Sequence, residues 1–327
     1  MAANADVLSD VLRAVRLTGA VYFDFELTSP WVAEAPPSRE IAATVMPGSQ
    51  RVIEYHLIAS GACWGHAVGD EPIRLNEGDL IVFPQGDPHV LSSAPGMRAA
   101  PDMAAYARPT TPLPIMYELG GGGSDRARVI CAFLGCDERP YNPLLSSLPN
   151  VMHLPAAGPA GSAGWLGTLL SIAVTESGSN RAGGENVLAR LSELMFVEAI
   201  RRYLETLPAT HTGWLAGLRD PVVGQALAAL HGEPSEPWTV ESLARLVGLS
   251  RSVFAERFTE IAGEPPMQYL ALWRMQLASR RLMDGGRVAE VAAAVGYESE
   301  AAFSRAFKKL VGQAPATWRR GRQSHIG

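Results

Sequence analysis

The chain has 327 residues, enough for two domains with cores of their own. Its 47% hydrophobic and 19% charged residues describe a folded globular protein and exclude a disordered one. The net charge of −5 divides unevenly: residues 233–327 carry 13 Lys/Arg against 10 Asp/Glu, leaving 15 against 23 elsewhere, so the cationic surplus lies where contacts to phosphates would be made.

Met1-Ala-Ala-Asn-Ala-Asp6 lacks a basic leader, and Leu8, Val11, Leu12 and Val15 form the stripe of a short amphipathic helix, not a continuous apolar core. No membrane partner and a cytoplasmic location are expected, and three cysteines are too few for a disulfide framework. Residues 19–95 then hold short apolar or alternating runs broken by Gly, Pro, Asp and Asn, among them Ala20–Phe25, Val52–Ile58 and Asp79–Phe83. Such runs predict an antiparallel all-β unit. Asn76-Glu-Gly78-Asp79 is a turn delivering an apolar strand, and Pro84-Gln-Gly86-Asp-Pro-His89 is a second tight turn ending in a histidine.

The Gly78, Pro84, Gly86, His89 spacing resembles the second motif of the cupin superfamily, which implies a small β-barrel. Metal-dependent cupin enzymes add a His-x-His set followed by Glu. Here His56 is followed by Leu57 and Ile58, and His66 lies beyond a turn at Gly61, so that set is incomplete. His56, Cys63, His89 and Cys131 nevertheless have the residue types of a zinc site. The plain alternative is that the cysteines are inert packing residues and the histidines hydrogen-bonded polar ones. Alternation puts His56 on one strand face with Glu54 and Ile58, the face predicted to point into the barrel.

Cys131 and Cys136, five apart, face opposite sides of a regular strand, and a disulfide between them requires a bend at Gly135. His56, Cys63, His89, Cys131 and Cys136 are the candidates for sensing a ligand, a metal or an oxidant, the last through an accessible low-pKa thiolate. Residues 95–125, Ala/Pro-rich and ending in Gly120–Gly123, read as a mobile loop, and Pro155–Gly164 as a hinge. Gly184–Leu204 is a predicted amphipathic helix with Val187, Leu188, Leu191, Leu194, Met195, Ala199 and Ile200 on its apolar side, and Pro221–His231 a further helix.

The C-terminal stretch is a repeat. Leu243–Gly248, then Phe254 and Phe258, is matched by Val291–Gly296, then Phe303 and Phe307, with one extra residue in the second turn. Each copy reads as helix, Gly-containing turn, helix, the composition of a helix-turn-helix unit. Ser299 is placed to cap the last of these helices. There Phe303, Phe307 and Leu310 share one face, and Arg305, Lys308 and Lys309 another. Between the copies, Met267–Met283 is a predicted helix of roughly 25 Å. With its attached modules it can hold two recognition helices about 34 Å apart, one turn of DNA.

Gly296-Tyr297, Ser299, Phe303-Ser304-Arg305, Phe307-Lys308-Lys309, Gly312, Pro315 and Trp318-Arg319 resemble the C-terminal signature of the AraC/XylS family of bacterial transcription regulators. The resemblance covers about residues 221–322 and implies a homodimeric DNA-binding regulator that works with RNA polymerase and answers a small-molecule effector sensed in a cupin-like domain. It also implies a dimerising role for the Gly184–Leu204 helix. The expected fold class is α+β, with a cupin-like antiparallel β-barrel at 1–160, a helical linker or dimerisation segment at 161–220 and an all-α domain of two helix-turn-helix units at 221–327.

Candidate DNA-reading positions are Arg251, Ser252, Ala255, Glu256 and Arg257 in the first unit, and Glu300, Ala301, Ser304, Arg305, Lys308 and Lys309 in the second. Arg305 suits guanine or phosphate, the lysines phosphate, and Glu256 and Glu300 cytosine N4 or rejection of wrong bases. Two other readings stay open: a cupin-type metal-dependent enzyme with an accessory helical domain, and a protein whose tandem helices bind a protein partner.

Overall fold

The computed structural model describes residues 6–107, 113–137, 140–156, 163–179, 181–208 and 211–323. Its strands are β1 (Thr18–Thr28), β2 (Val32–Ala35), β3 (Arg51–Ala67), β4 (Ile73–Asn76), β5 (Leu80–Phe83), β6 (His89–Ser92), β7 (Ile115–Gly120), β8 (Arg126–Cys136) and β9 (Met152–Leu154). The helices are α1 (Val7–Ala14), α2 (Ser38–Val45), α3 (Pro143–Ser146), α4 (Ala163–Ser177), α5 (Gly184–Thr206), α6 (Trp214–Arg219) and α7 (Pro221–Gly232). They continue as α8 (Val240–Leu246), α9 (Arg251–Ala262), α10 (Pro266–Met283), α11 (Val288–Ala294), α12 (Glu300–Val311) and α13 (Pro315–Gln323). None is long and apolar enough to cross a membrane.

Two compact units result. One holds β1–β9 with α2, α4 and α5; the other gathers α1, the α3 segment and the chain from Leu207 onward. The linear boundaries expected at 160 and 220 differ from this division, because the helical unit is assembled from three separate stretches.

The β unit is a curled sheet ordered β2-β6-β3-β8-β1-β7, with β4 and β5 also on β3. Its long strand β3 serves two neighbourhoods, pairing β8 and β5 along its first half and β6 and β4 along its second. Gly61 is therefore a bend inside a strand, not a turn that ends it. The register against β8 slips between Ile58 and Ser60, and Gly61 takes φ +73° where a Cβ would meet the Arg126 carbonyl at 2.1 Å. Residues 95–125 are also not wholly loop. Ile115–Gly120 forms β7, a parallel partner of β1 and a departure from the all-antiparallel expectation. Its Tyr117 stacks on Phe25, a long-range contact invisible to local pattern. Residues 108–112 of that stretch, and 157–162 of the proposed hinge, lie outside the described residues.

Helix α5 lies against the sheet. Gly19 permits the approach, since a Cβ there would meet the Ala189 carbonyl at 2.4 Å. Leu188, Leu191, Met195, Ala199 and Ile200 are buried as expected, but Val187 and Leu194 are 43% and 47% exposed. Tyr55 donates from its hydroxyl to Ser192 Oγ at 2.7 Å. Buried Asp24 accepts two bonds from Arg128 (2.9 and 2.7 Å) and one from Ser177, joining β1, β8 and α4.

In the helical unit the buried amide of Gln276 on α10 donates to the Ala14 carbonyl (3.0 Å) and accepts from Tyr141 N (3.1 Å), fastening α1 and the α3 segment. The two helix-turn-helix units form as the sequence predicts. Ser250 and Ser299 cap α9 and α12 by accepting from Val253 N and Ala302 N, and glycines at 248 and 296 make the left-handed turns before them. Phe254, Phe258, Phe303 and Phe307 are fully buried.

Candidate functional site

On α12 the buried Phe303 and Phe307 turn the opposite face outward, leaving Glu300, Ala301, Arg305, Lys308 and Lys309 exposed and Ser304 half-buried. Among the described residues no ion pair engages Arg305, Lys308 or Lys309. The three cations are thus available to an external anion.

Helix α9 presents a different surface. Ser252, Val253, Glu256 and Glu260 are exposed and Ala255 is half-buried. Arg251 pairs with Glu241 at 2.7 Å, an exposed contact of small worth. Arg257 pairs with Asp220 at 2.6 Å. That carboxylate also accepts from Val222 N and Val223 N at the start of α7; burial pushes its pKa up, but Arg257 and then these two amides bring it below the ordinary value and fix its position. Arg257 therefore has a structural partner that its spacing in the sequence does not disclose.

The second feature is a cavity of about 200 Å³ in the curled sheet. Phe23, Phe25, Trp31, Tyr106, Tyr117 and Phe133 give it an aromatic wall, and Glu54, His56, His89 and Cys131 form one polar corner. Adjacent strands bring that corner together. His56 and Cys131 are cross-strand partners in β3 and β8, while β6 supplies His89. His89 donates from Nδ1 to the Asp87 carbonyl (3.0 Å), which leaves its Nε2 as an acceptor. His56 Nε2 lies 2.7 Å from it and Cys131 Sγ lies 2.8 Å from His56 Nδ1. The set is satisfied as one directed chain: Cys131 S–H to His56 Nδ1, and His56 Nε2–H to His89 Nε2.

Burial keeps this corner uncharged. It holds both imidazoles below the ordinary histidine range, His89 at about 4, and raises Glu54 to about 8. The Cys131 thiol is pushed well above its usual value by burial and then by Glu54. Cys63, pushed up to about 12, lies in the sheet core but does not line the cavity, and neither does Cys136. No disulfide joins the three buried cysteines. Burial and the raised thiol pKa values of Cys63 and Cys131 work against the accessible, acidified thiolate that oxidant sensing uses.

The donor set also fits a metal ion. One ligand atom each from Glu54, His56 and His89 falls within 4.8 Å of the others, all three buried. His89 Nδ1 already donates to the Asp87 carbonyl, as a metal-bound imidazole does, and His56 would ligate through Nε2 in the other tautomer, with Nδ1–H turned to Cys131 Sγ. Glu54 Oε1 has no hydrogen-bond partner among the described residues. Glu54 is absent from the sequence-derived ligand candidates, though its alternation with His56 is the signal that points to it. Cys63, which is among those candidates, is not in the cluster.

Residues 6–205 match the family described as Cupin, and residues 243–321 match the family described as Helix-turn-helix domain. A putative AraC-like transcription regulator of Streptomyces lividans is 35% identical over 274 residues, 83% of this chain and 87% of its own length. The chain belongs to the AraC-like transcription regulators. The HTH-type transcriptional regulator AlkR of Acinetobacter baylyi is 30% identical to this regulator over 81% of the chain and 90% of AlkR. Among solved structures, the DNA-binding domain of AdpA in complex with a target DNA is 31% identical. That match covers 32% of this chain and 95% of the other, with a TM-score of 0.31. The regulator is a DNA-binding protein and not an enzyme, so the cupin-enzyme reading is set aside.

Proposed function

We propose that this regulator couples occupancy of the cavity in its β unit to DNA binding by its tandem helices. The observation that carries the reading is an aromatic-walled cavity with one uncharged polar corner. Glu34, Asp102 and Glu118 also line the cavity, so it suits a mostly apolar small molecule without negative charge that hydrogen-bonds at that corner. Transmission has a short route inside the β unit. Glu54 and His56 face the cavity, while Tyr55 between them holds α5 through Ser192. Val187 and Leu194, seven apart on α5, and Ile172 on α4 leave apolar surface for a homodimer. RNA polymerase is the expected further partner and the cytoplasm the expected location.

A neutral apolar fluorophore such as 1-phenylnaphthylamine is the probe for the cavity. Its emission should rise with the native regulator and not with Ala33→Phe, which fills the lining. Equal response from both proteins would overturn the assignment. The convergence of Glu54, His56 and His89 favours a second reading, zinc or another divalent ion as the signal. Elemental analysis of reduced, purified protein decides it. Less than about a tenth of an equivalent, after growth with added zinc, removes the metal.

Arg305 is the proposed base or phosphate contact of α12, with Lys308 and Lys309 on phosphates. Arg305→Ala should weaken binding to a selected operator duplex by about 1–3 kcal/mol, measured by anisotropy at fixed salt. Undiminished affinity in a folded variant would sink this role.

A further inference from the structure

The two recognition helices align position by position. Their caps Ser250 and Ser299 are followed at the same intervals by the buried pairs Phe254/Phe258 and Phe303/Phe307. Where α12 carries Arg305, Lys308 and Lys309, α9 carries Glu256, Thr259 and Glu260. The two arginines of α9 are both paired, one of them to a carboxylate that caps another helix. The first recognition helix therefore offers phosphate little. What it does offer is Val253, 50% exposed in its first turn, at the position where α12 has a half-buried alanine, Ala302.

A branched apolar side chain cannot bind phosphate, and no neighbour in the helical unit covers more than half of this one. The first turn of a recognition helix is the part that reaches base edges in the major groove. The apolar group displayed there is the 5-methyl of thymine. We infer that Val253 is a specificity-determining residue that packs against a thymine methyl. The two helix-turn-helix units then divide their work: α12 supplies the cations, Arg305 to a base or phosphate and the lysines to phosphates, and α9 discriminates bases by apolar contact.

The test uses the full chain. A binding duplex is first selected from random sequence with the native protein. Each thymine is then replaced singly by deoxyuridine, which deletes only the methyl, and affinity is read by anisotropy. One position in the half-site bound by α9 should weaken binding about fourfold, the worth of one buried methyl. Val253→Ala should lose a similar factor on the thymine duplex and become indifferent to uracil at that position alone. Arg305→Ala should keep the full uracil sensitivity while binding more weakly. A deoxyuridine profile unchanged by Val253→Ala overturns the inference. So does a variant that binds every duplex normally but fails in transcription, which would assign Val253 to a protein partner. Val253 is half-exposed, so an unaltered melting temperature confirms that the comparison is between folded proteins.

Discussion

Phe307→Ala is expected to destabilise the helical unit by about 3–5 kcal/mol, the range for truncating a buried phenylalanine. Phe307 is fully buried and belongs to the cluster of Met275, Leu282, Val291, Val295, Phe303 and Trp318. Its ring meets Phe303 at 5.5 Å and Trp318 at 6.1 Å between centroids, so removal opens a cavity among four helices and the α12 face loses its anchor. Melting followed by circular dichroism gives the stability change. The same variant should lose operator binding out of proportion to any direct contact, because Arg305 and the two lysines depend on α12 being seated. A variant that melts like the native protein would mean the ring is not core, which would favour exposed aromatics that serve a partner.

The second large effect is electrostatic. In chelator-treated protein, stability of the β unit should peak near pH 6.5, and Glu54→Gln should abolish the alkaline fall. The sign follows from the direction of each shift. Glu54 is raised from 4.5 to about 8, so its contribution is full below pH 4.5 and is lost as pH rises through 8. His89, lowered from 6.5 to about 4, and His56, also lowered by burial, contribute above pH 6.5 and lose that contribution as pH falls. Each group acts with a slope of about 1.4 kcal/mol per pH unit within its window. The two histidines outweigh Glu54 on the acid side, and Glu54 acts alone between 6.5 and 8. Replacing it by the neutral amide removes that decline, worth about 2 kcal/mol at pH 8. Denaturant unfolding at pH 5, 6.5 and 8 measures it. Parallel curves for native and variant would show that Glu54 is not held neutral. Added zinc should flatten the native curve if the ion binds, since it holds the carboxylate ionised.

The tandem helix-turn-helix units are legible in the sequence because their determinants are local. Phenylalanines four apart, a serine cap and a preceding glycine act within a dozen residues, and the helix period turns them into a buried face and an outward one. The α5 helix is legible for the same reason, although which of its apolar residues meet the sheet is not: Val187 and Leu194 point away. What the sequence leaves open depends on long-range pairing. Arg257 has the spacing of a DNA-reading residue, yet the fold brings Asp220 to it from 37 residues away. β7 emerges only because β1 has a free edge to pair with. The polar corner of the cavity is the plainest case. Glu54, His56, Cys131 and His89 come from three strands, and a one-residue slip between β3 and β8 would turn Cys131 away from His56. Residue types and alternation supply the candidates, but strand register decides which of them meet. It excludes Cys63 and adds Glu54, because burial and contact are properties of the paired sheet and not of any single strand.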